Sequence, residues 1–172
     1  MLAGRQDAAY QWMLRAIGAY LDERAAGDVC VIETPEGFAL RFAGEDAEGP
    51  LDLVRFDYDA MATYNKLLER RRQEQVRSRG LAEGQNHQYQ DLFRALGWEL
   101  DDSDARNVLI TEVEDGLLLT FLALRPDSGS QWEKRSANLG ETAMQAILRD
   151  ARSRRRRAVR ERSLEETVKF LG

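Results

Sequence analysis

Apolar residues recur at helical spacing twice along the chain, at Tyr10, Met13, Leu14, Ile17 and Leu21, and again at Tyr89, Leu92, Phe93, Leu96 and Leu100. Each set draws one apolar stripe along a polar segment, the mark of an amphipathic helix with a single buried face. After each helix the period shortens to two. Val29 to Thr34 and Phe38 to Phe42 flank Pro35-Glu36-Gly37, and Val108 to Val113 and Leu117 to Phe121 flank Glu114-Asp115-Gly116. A short acidic loop that ends in glycine predicts a hairpin whose last turn residue takes a positive φ.

A third strand is expected where Val54, Phe56 and Tyr58 alternate with Arg55 and Asp57, followed by Asp59 as the N-cap of a closing helix. The second counterpart is weaker, with Trp132 anchoring Gln131 to Arg135 behind an exposed loop, Arg125 to Ser130. Closing helices are predicted around Met61, Tyr64, Leu67 and Leu68, and around Leu139, Met144, Ile147 and Leu148. The link between the halves is placed along Arg70 to Arg79 and the glycine-containing stretch Gly80 to Asn86. Ser163-Leu164-Glu165-Glu166 has the capping-box pattern and predicts a separate short helix from Leu164 to Leu171.

The two halves repeat one another. Residues 10–42 superpose on residues 89–121 without a gap, with 13 identities in 33 positions, where unrelated sequences would give roughly 2. The expectation is an α+β protein built by internal tandem duplication of an α-β-β-β-α unit. Its antiparallel sheet or sheets are packed by helices about a pseudo-twofold axis. The units span residues 1–82 and 83–172, and packing them into one body relieves the marginal stability of two small cores.

The order of elements resembles that of double-stranded-RNA-binding domains, two of which often occur in tandem. The basic start of the second helix that such domains share has no counterpart here, because Ala60-Met61-Ala62-Thr63 and Gly140-Glu141-Thr142-Ala143 carry no cation. The resemblance is one of topology, and topology does not carry function.

Composition narrows the function classes. A net charge of -5 in 172 residues repels polyanions from the molecule as a whole, so any nucleic acid must find a local patch. The lone cysteine, Cys30, excludes an internal disulfide and a cysteine-based zinc cluster. No leader pattern or membrane-length apolar stretch stands out, so a soluble cytoplasmic protein without a membrane partner is expected.

The densest charge lies in Arg149 to Arg162, where eight arginines face two acids. Arg149, Arg152, Arg154, Arg155, Arg156 and Arg157, with Arg70, Arg71 and Arg72 of the first half, form a candidate anion- or partner-binding patch, since guanidinium groups pair bidentately with phosphate. The competing reading is a solvated helix bonded to the acidic body, favoured because no aromatic side chain interrupts the run to stack a base.

Catalytic chemistry finds little support. The single histidine, His87, has no nucleophile motif near it. Asp101-Asp102-Ser103-Asp104 lacks the ligand alternation of a calcium loop and reads as a helix-to-strand connection. No catalytic residue, metal or cofactor is implied. Tyr10, Tyr89, Glu33 and Glu112 recur at matching positions and are candidates to line a cleft between the repeats, with the glutamates as an acid and base pair. The alternative is a repeated ion pair from Arg15 and Arg94 to the glutamates. Gly18 and Gly97, inside apolar helices, are expected to permit close packing. The leading expectation is a non-catalytic protein-interaction or structural module, self-association included. Nucleic-acid binding through the arginine helices comes second and a small-molecule site or enzyme third.

Overall fold

The computed structural model describes residues 9–45, 49–77, 88–127 and 131–171. Residues 78–86 of the predicted link, His87 after it and residues 128–130 of the predicted loop lie outside the described residues, while the first part of that link, 70–77, is helical. The elements are α1 (Tyr10–Glu23), β1 (Gly27–Thr34), β2 (Gly37–Ala43), β3 (Asp52–Asp57), α2 (Tyr58–Arg77), α3 (Gln88–Asp102), β4 (Arg106–Val113), β5 (Gly116–Leu124), β6 (Trp132–Gly140) and α4 (Glu141–Leu171). The protein is α+β, with six antiparallel strands in the order β3-β2-β1-β4-β5-β6 and four helices.

The two three-stranded halves join edge to edge through β1 and β4, where Val31 faces Ile110, Cys30 faces Thr111 and Ile32 faces Leu109. Pairing the two inner edges into one ladder satisfies backbone groups that two separate sheets would leave open. Both hairpins turn as expected, with Gly37 and Gly116 at φ 154. β1 and β4 each carry an irregularity at the same place, with Asp28 and Asn107 at positive φ, so each strand bulges where it leaves its helix.

One face of the sheet makes the core. Val29, Val31, Phe38, Leu40, Phe42 and Phe56 from the first three strands, and Val108, Ile110, Leu117 and Leu119 from the next two, bury against the apolar stripes of α1 and α3. α1 and α3 lie side by side at the centre of the helix layer, flanked by α2 over β3 and α4 over β6. The helix pair is held by an exchange of caps. Asp101, in the last turn of α3, accepts from the Tyr10 and Gln11 amides at 2.8 and 3.2 Å. Asp22, in the last turn of α1, accepts from the Tyr89 and Gln90 amides at 2.8 and 3.0 Å.

Ala9 offers α1 no side-chain cap, so orphan amides at the positive end of each dipole are satisfied by a carboxylate from the other helix. Asp101→Ala should therefore cost about 1–2 kcal/mol, the usual value of a lost cap, in chemical denaturation. Asp102→Ala, which removes an exposed ion pair, should cost under about 0.5 kcal/mol. Equal effects from the two would mean that the cap is not what Asp101 provides.

Four sequence expectations are corrected. The cap of α2 is Asp57, whose Oδ1 accepts the Ala60 amide at 2.7 Å, so the helix starts earlier than an Asp59 cap would have it and Tyr58 lies inside it. Leu139 belongs to β6, because the ladder pairs it with Leu117. β6 runs well beyond Arg135 to Gly140. The Ser163 capping box starts no helix of its own, since α4 is continuous to Leu171. No glycine or proline interrupts residues 141–171, and a capping pattern starts a helix only where the chain has a reason to break.

Candidate functional site

The four predicted cleft residues form two separate pairs. The Tyr10 hydroxyl donates to Glu33 at 2.6 Å, and Glu33 also accepts the Val108 amide of β4 at 3.3 Å. The Tyr89 hydroxyl donates to Glu112 at 3.0 Å, and Glu112 accepts the Val29 amide of β1 at 3.3 Å. Each pair ties the first turn of a helix to the strand end of its own half and to the facing strand of the other.

With Val31 opposite Ile110, Glu33 and Glu112 lie four residues apart along the strand direction, about 13 Å. That exceeds the span over which two carboxylates share a substrate as acid and base. Burial, and then the Glu112 carboxylate, push the Tyr89 hydroxyl well above the ordinary tyrosine value, which keeps it a neutral donor at physiological pH.

The repeated Arg-to-Glu ion pair between helix and sheet takes a different form. Arg15, only 4% exposed, donates to Glu69 of α2 at 2.7 Å. This bond holds the Glu69 carboxyl below its ordinary value. Arg15 and Arg94 also lie 5.8 and 5.5 Å from the Trp12 ring centroid. These arginines serve the outer side of the helix layer, joining α1, α2 and α3 by charge and cation–π contact, while the glutamates serve the sheet.

Tyr89 and Glu112 border an open cavity of about 1160 Å³ between α3, the β4–β5 hairpin and the start of α4. Leu92, Leu117, Met144 and Leu148 line it, with Asp28, Glu114, Asp115 and Glu141 adding carboxylates and, among the described residues, no basic side chain facing them. Such a lining attracts cations, and the Tyr89 hydroxyl at its border is committed to Glu112.

The arginines divide between two flanks. Arg70, Arg71 and Arg72 lie on α2, and Arg149, Arg152, Arg154, Arg156 and Arg157 on α4, at opposite sides of the helix layer; the Arg155 side chain is outside the described residues. Arg71 is bonded to Glu23 at the end of α1. Arg154 reaches Asp102 at 2.5 Å, Asp150 at 3.2 Å and Glu99 at 3.7 Å. Part of the run is thus spent on fastening the outer helices to the acidic ends of the inner pair. The other described arginines of α2 and α4 lie on these two separate flanks.

The surface that sequence reasoning missed is the sheet face turned away from the helices. The strand residues in the core are those of one parity, and the other parity is also rich in apolar side chains. Leu53 is 77% exposed, Ile32 47% and Trp132 42%, while Leu109, Leu118 and Leu122 are half-buried. Cross-strand register brings Ile32 against Leu109 and Ala39, so the patch runs through the middle of the sheet. Among the described residues no helix packs on it. The signal was present in Leu117-Leu118-Leu119, where consecutive leucines put apolar groups on both faces of β5; the alternation used to predict a half-buried strand passes over such runs.

Among the described residues no helix is long and apolar enough to cross a membrane, and no group of three or more acidic, histidine or cysteine side chains converges as metal ligands. Comparison of the chain with protein-family models, with curated proteins and with solved structures gave no match.

Proposed function

We propose that the protein is a non-catalytic interaction module, a fused pseudo-dimer of two α-β-β-β-α units that presents the open face of its sheet to a protein partner. The exposed apolar face carries this reading. The open face of six paired strands measures roughly 600 Å² in all, apolar in its middle and polar or charged around it, close to the 800 Å² or so that one partner contributes to a standard interface. Leaving Leu53, Ile32 and Trp132 in water costs solubility, which natural monomers tolerate mainly where the patch binds something.

The reciprocity of the contacts supports the pseudo-dimer. Tyr10 with Glu33 matches Tyr89 with Glu112, Asp22 capping α3 matches Asp101 capping α1, and every one of these equivalents is 79 residues apart. Covering one sheet face with all four helices spends the helices on stability and leaves the other face free for recognition.

The test is an environment-sensitive apolar dye titrated against the native protein and against a variant with Ile32→Gln and Leu53→Gln. The native protein should enhance the dye's fluorescence and the variant should lose most of the enhancement, with its circular dichroism and melting midpoint nearly unchanged. Both side chains are substantially exposed, so the fold gives up little. An equal dye response from the two proteins would overturn the reading.

A further inference from the structure

We infer that the partner of the open sheet face is an acidic amphipathic helix of another protein, its apolar stripe lying on Ile32, Leu109 and Leu118 and its carboxylates meeting a flanking set of cations. This rests on the docking reading above and adds the chemistry of the occupant.

The sign of the charge on this face carries the inference. Arg41 pairs across the ladder with Cys30 and Leu53, Arg55 with Ala39, and Lys134 with Leu122, which puts all three on the open side. Arg106 faces Leu122 and stands 5.2 Å from the centroid of Trp132, because the bulge in β4 rotates it off the core parity. Against these four cations, the strand carboxylate of this side is Asp57 at the end of β3, already engaged in capping α2. The net charge of the chain is -5, so the open face runs opposite to the rest of the molecule. A surface both apolar in the middle and cationic toward two borders is matched by a segment with an apolar stripe flanked by Asp and Glu.

The competing occupants fit less well. A second copy laid face to face would set Arg41 and Arg55 against one another or against Arg106 and Lys134, a like-charge contact in either orientation. Single-stranded nucleic acid needs stacking platforms, and among the described residues this face carries one aromatic ring, Trp132. A bilayer surface would meet the acidic remainder of the chain as well as the cations.

The experiment pans a displayed library of helical peptides, with randomised charge flanking a fixed leucine stripe, against three forms of the full chain. These are the wild type, the charge-reversed variant Arg41→Glu/Arg55→Glu/Lys134→Glu, and the apolar variant Ile32→Gln/Leu53→Gln. The wild type should enrich acidic peptides. These should bind the charge-reversed variant at least about tenfold more weakly, from loss of several exposed pairs worth up to about 1 kcal/mol each. The charge-reversed variant should instead enrich basic peptides, and the apolar variant should bind neither set.

Winners without an acidic bias that still need Ile32 and Leu53 would overturn the acidic helix and leave the docking face standing. Winners indifferent to the apolar variant, or no winners at all, would overturn both. Tighter binding of phosphatidylglycerol vesicles or of an oligothymidylate than of any peptide, lost in the charge-reversed variant, would replace the protein partner by a membrane or a nucleic acid. Light scattering that shows the wild type as a dimer and the apolar variant as a monomer would assign the face to a second copy.

Discussion

Gly97→Ala should lower the melting midpoint by roughly 5–10 °C, the equivalent of about 2–3 kcal/mol in a chain of this size, although alanine is the better helix former by up to about 1 kcal/mol. The sign is decided by the neighbouring backbone. A Cβ on Gly97 would fall 2.5 Å from the Gln11 amide nitrogen and 2.7 Å from the Tyr10 carbonyl carbon. One on Gly18 would fall 2.5 Å from the Tyr89 carbonyl oxygen. The obstacle is main chain in both cases, so no rotamer change relieves it, and α1 and α3 must move apart.

That movement also stretches the bonds from Asp101 and Asp22 to the opposite helix N-termini, which depend on the same separation. Gly18→Ala should behave alike. The double variant should cost less than the sum, because helices already parted by one methyl make room for the second. Gly27→Ala is the control: a Cβ there meets nothing within 4 Å, and the midpoint should stay within about 2 °C. Gly97→Ala melting at or above the wild type would show that the helix pair is looser than its contacts imply.

Residues 1–82 expressed alone should form a homodimer, in which β1 pairs antiparallel with β1 about Val31 and Asp22 of each copy caps α1 of the other. The argument combines the repeat with the reciprocal contacts. The cap that α1 receives from Asp101 is available from Asp22 of a second copy, because the amide pair it serves, Tyr10 and Gln11, has the same identities as Tyr89 and Gln90. A lone half would expose the unpaired edge of β1 and the Gly18 side of α1, a strong incentive to pair.

Light scattering should give twice the fragment mass. Asp22→Ala should weaken the dimer by roughly a hundredfold, since symmetry removes two caps worth about 1–2 kcal/mol each. A folded monomer, or a dimer indifferent to Asp22, would argue against the fused pseudo-dimer.

Much of this architecture was legible beforehand, and the reasons are local. The apolar stripes of α1 and α3, the two glycine-ended hairpins and the third strand at Val54 and Phe56 each follow from a short-range period that burial of one face imposes. Gly18 and Gly97 were readable as packing glycines because glycine inside an apolar helix has few other uses. β6 was half hidden. Glu133 and Arg135 on its core-facing parity pair with each other, and a strand satisfied by its own ions shows no apolar alternation. The site was less legible than the fold. Tyr10, Tyr89, Glu33 and Glu112 were singled out by repetition, which marks positions as shared without saying what they touch, and they fasten helices to strands across the β1–β4 seam.

Local pattern determined the identity and approximate bounds of the helices and strands, the turn chemistry, the net charge and the recurrence of residues at a spacing of 79, because each depends on neighbours within a few residues. Tertiary structure decided the rest. Only the fold could show that the inner edges pair into one sheet, that Asp22 and Asp101 cap helices some 67 and 91 residues distant, and that Arg15 reaches Glu69. It also put all four helices on one side, so that Ile32, Leu53 and Trp132 face water beside Arg41, Arg55 and Lys134. The physical reason is the same for each. These outcomes turn on which surfaces meet once the chain has closed on itself, and a period of two or 3.6 tells which side of an element is apolar without telling what will cover it.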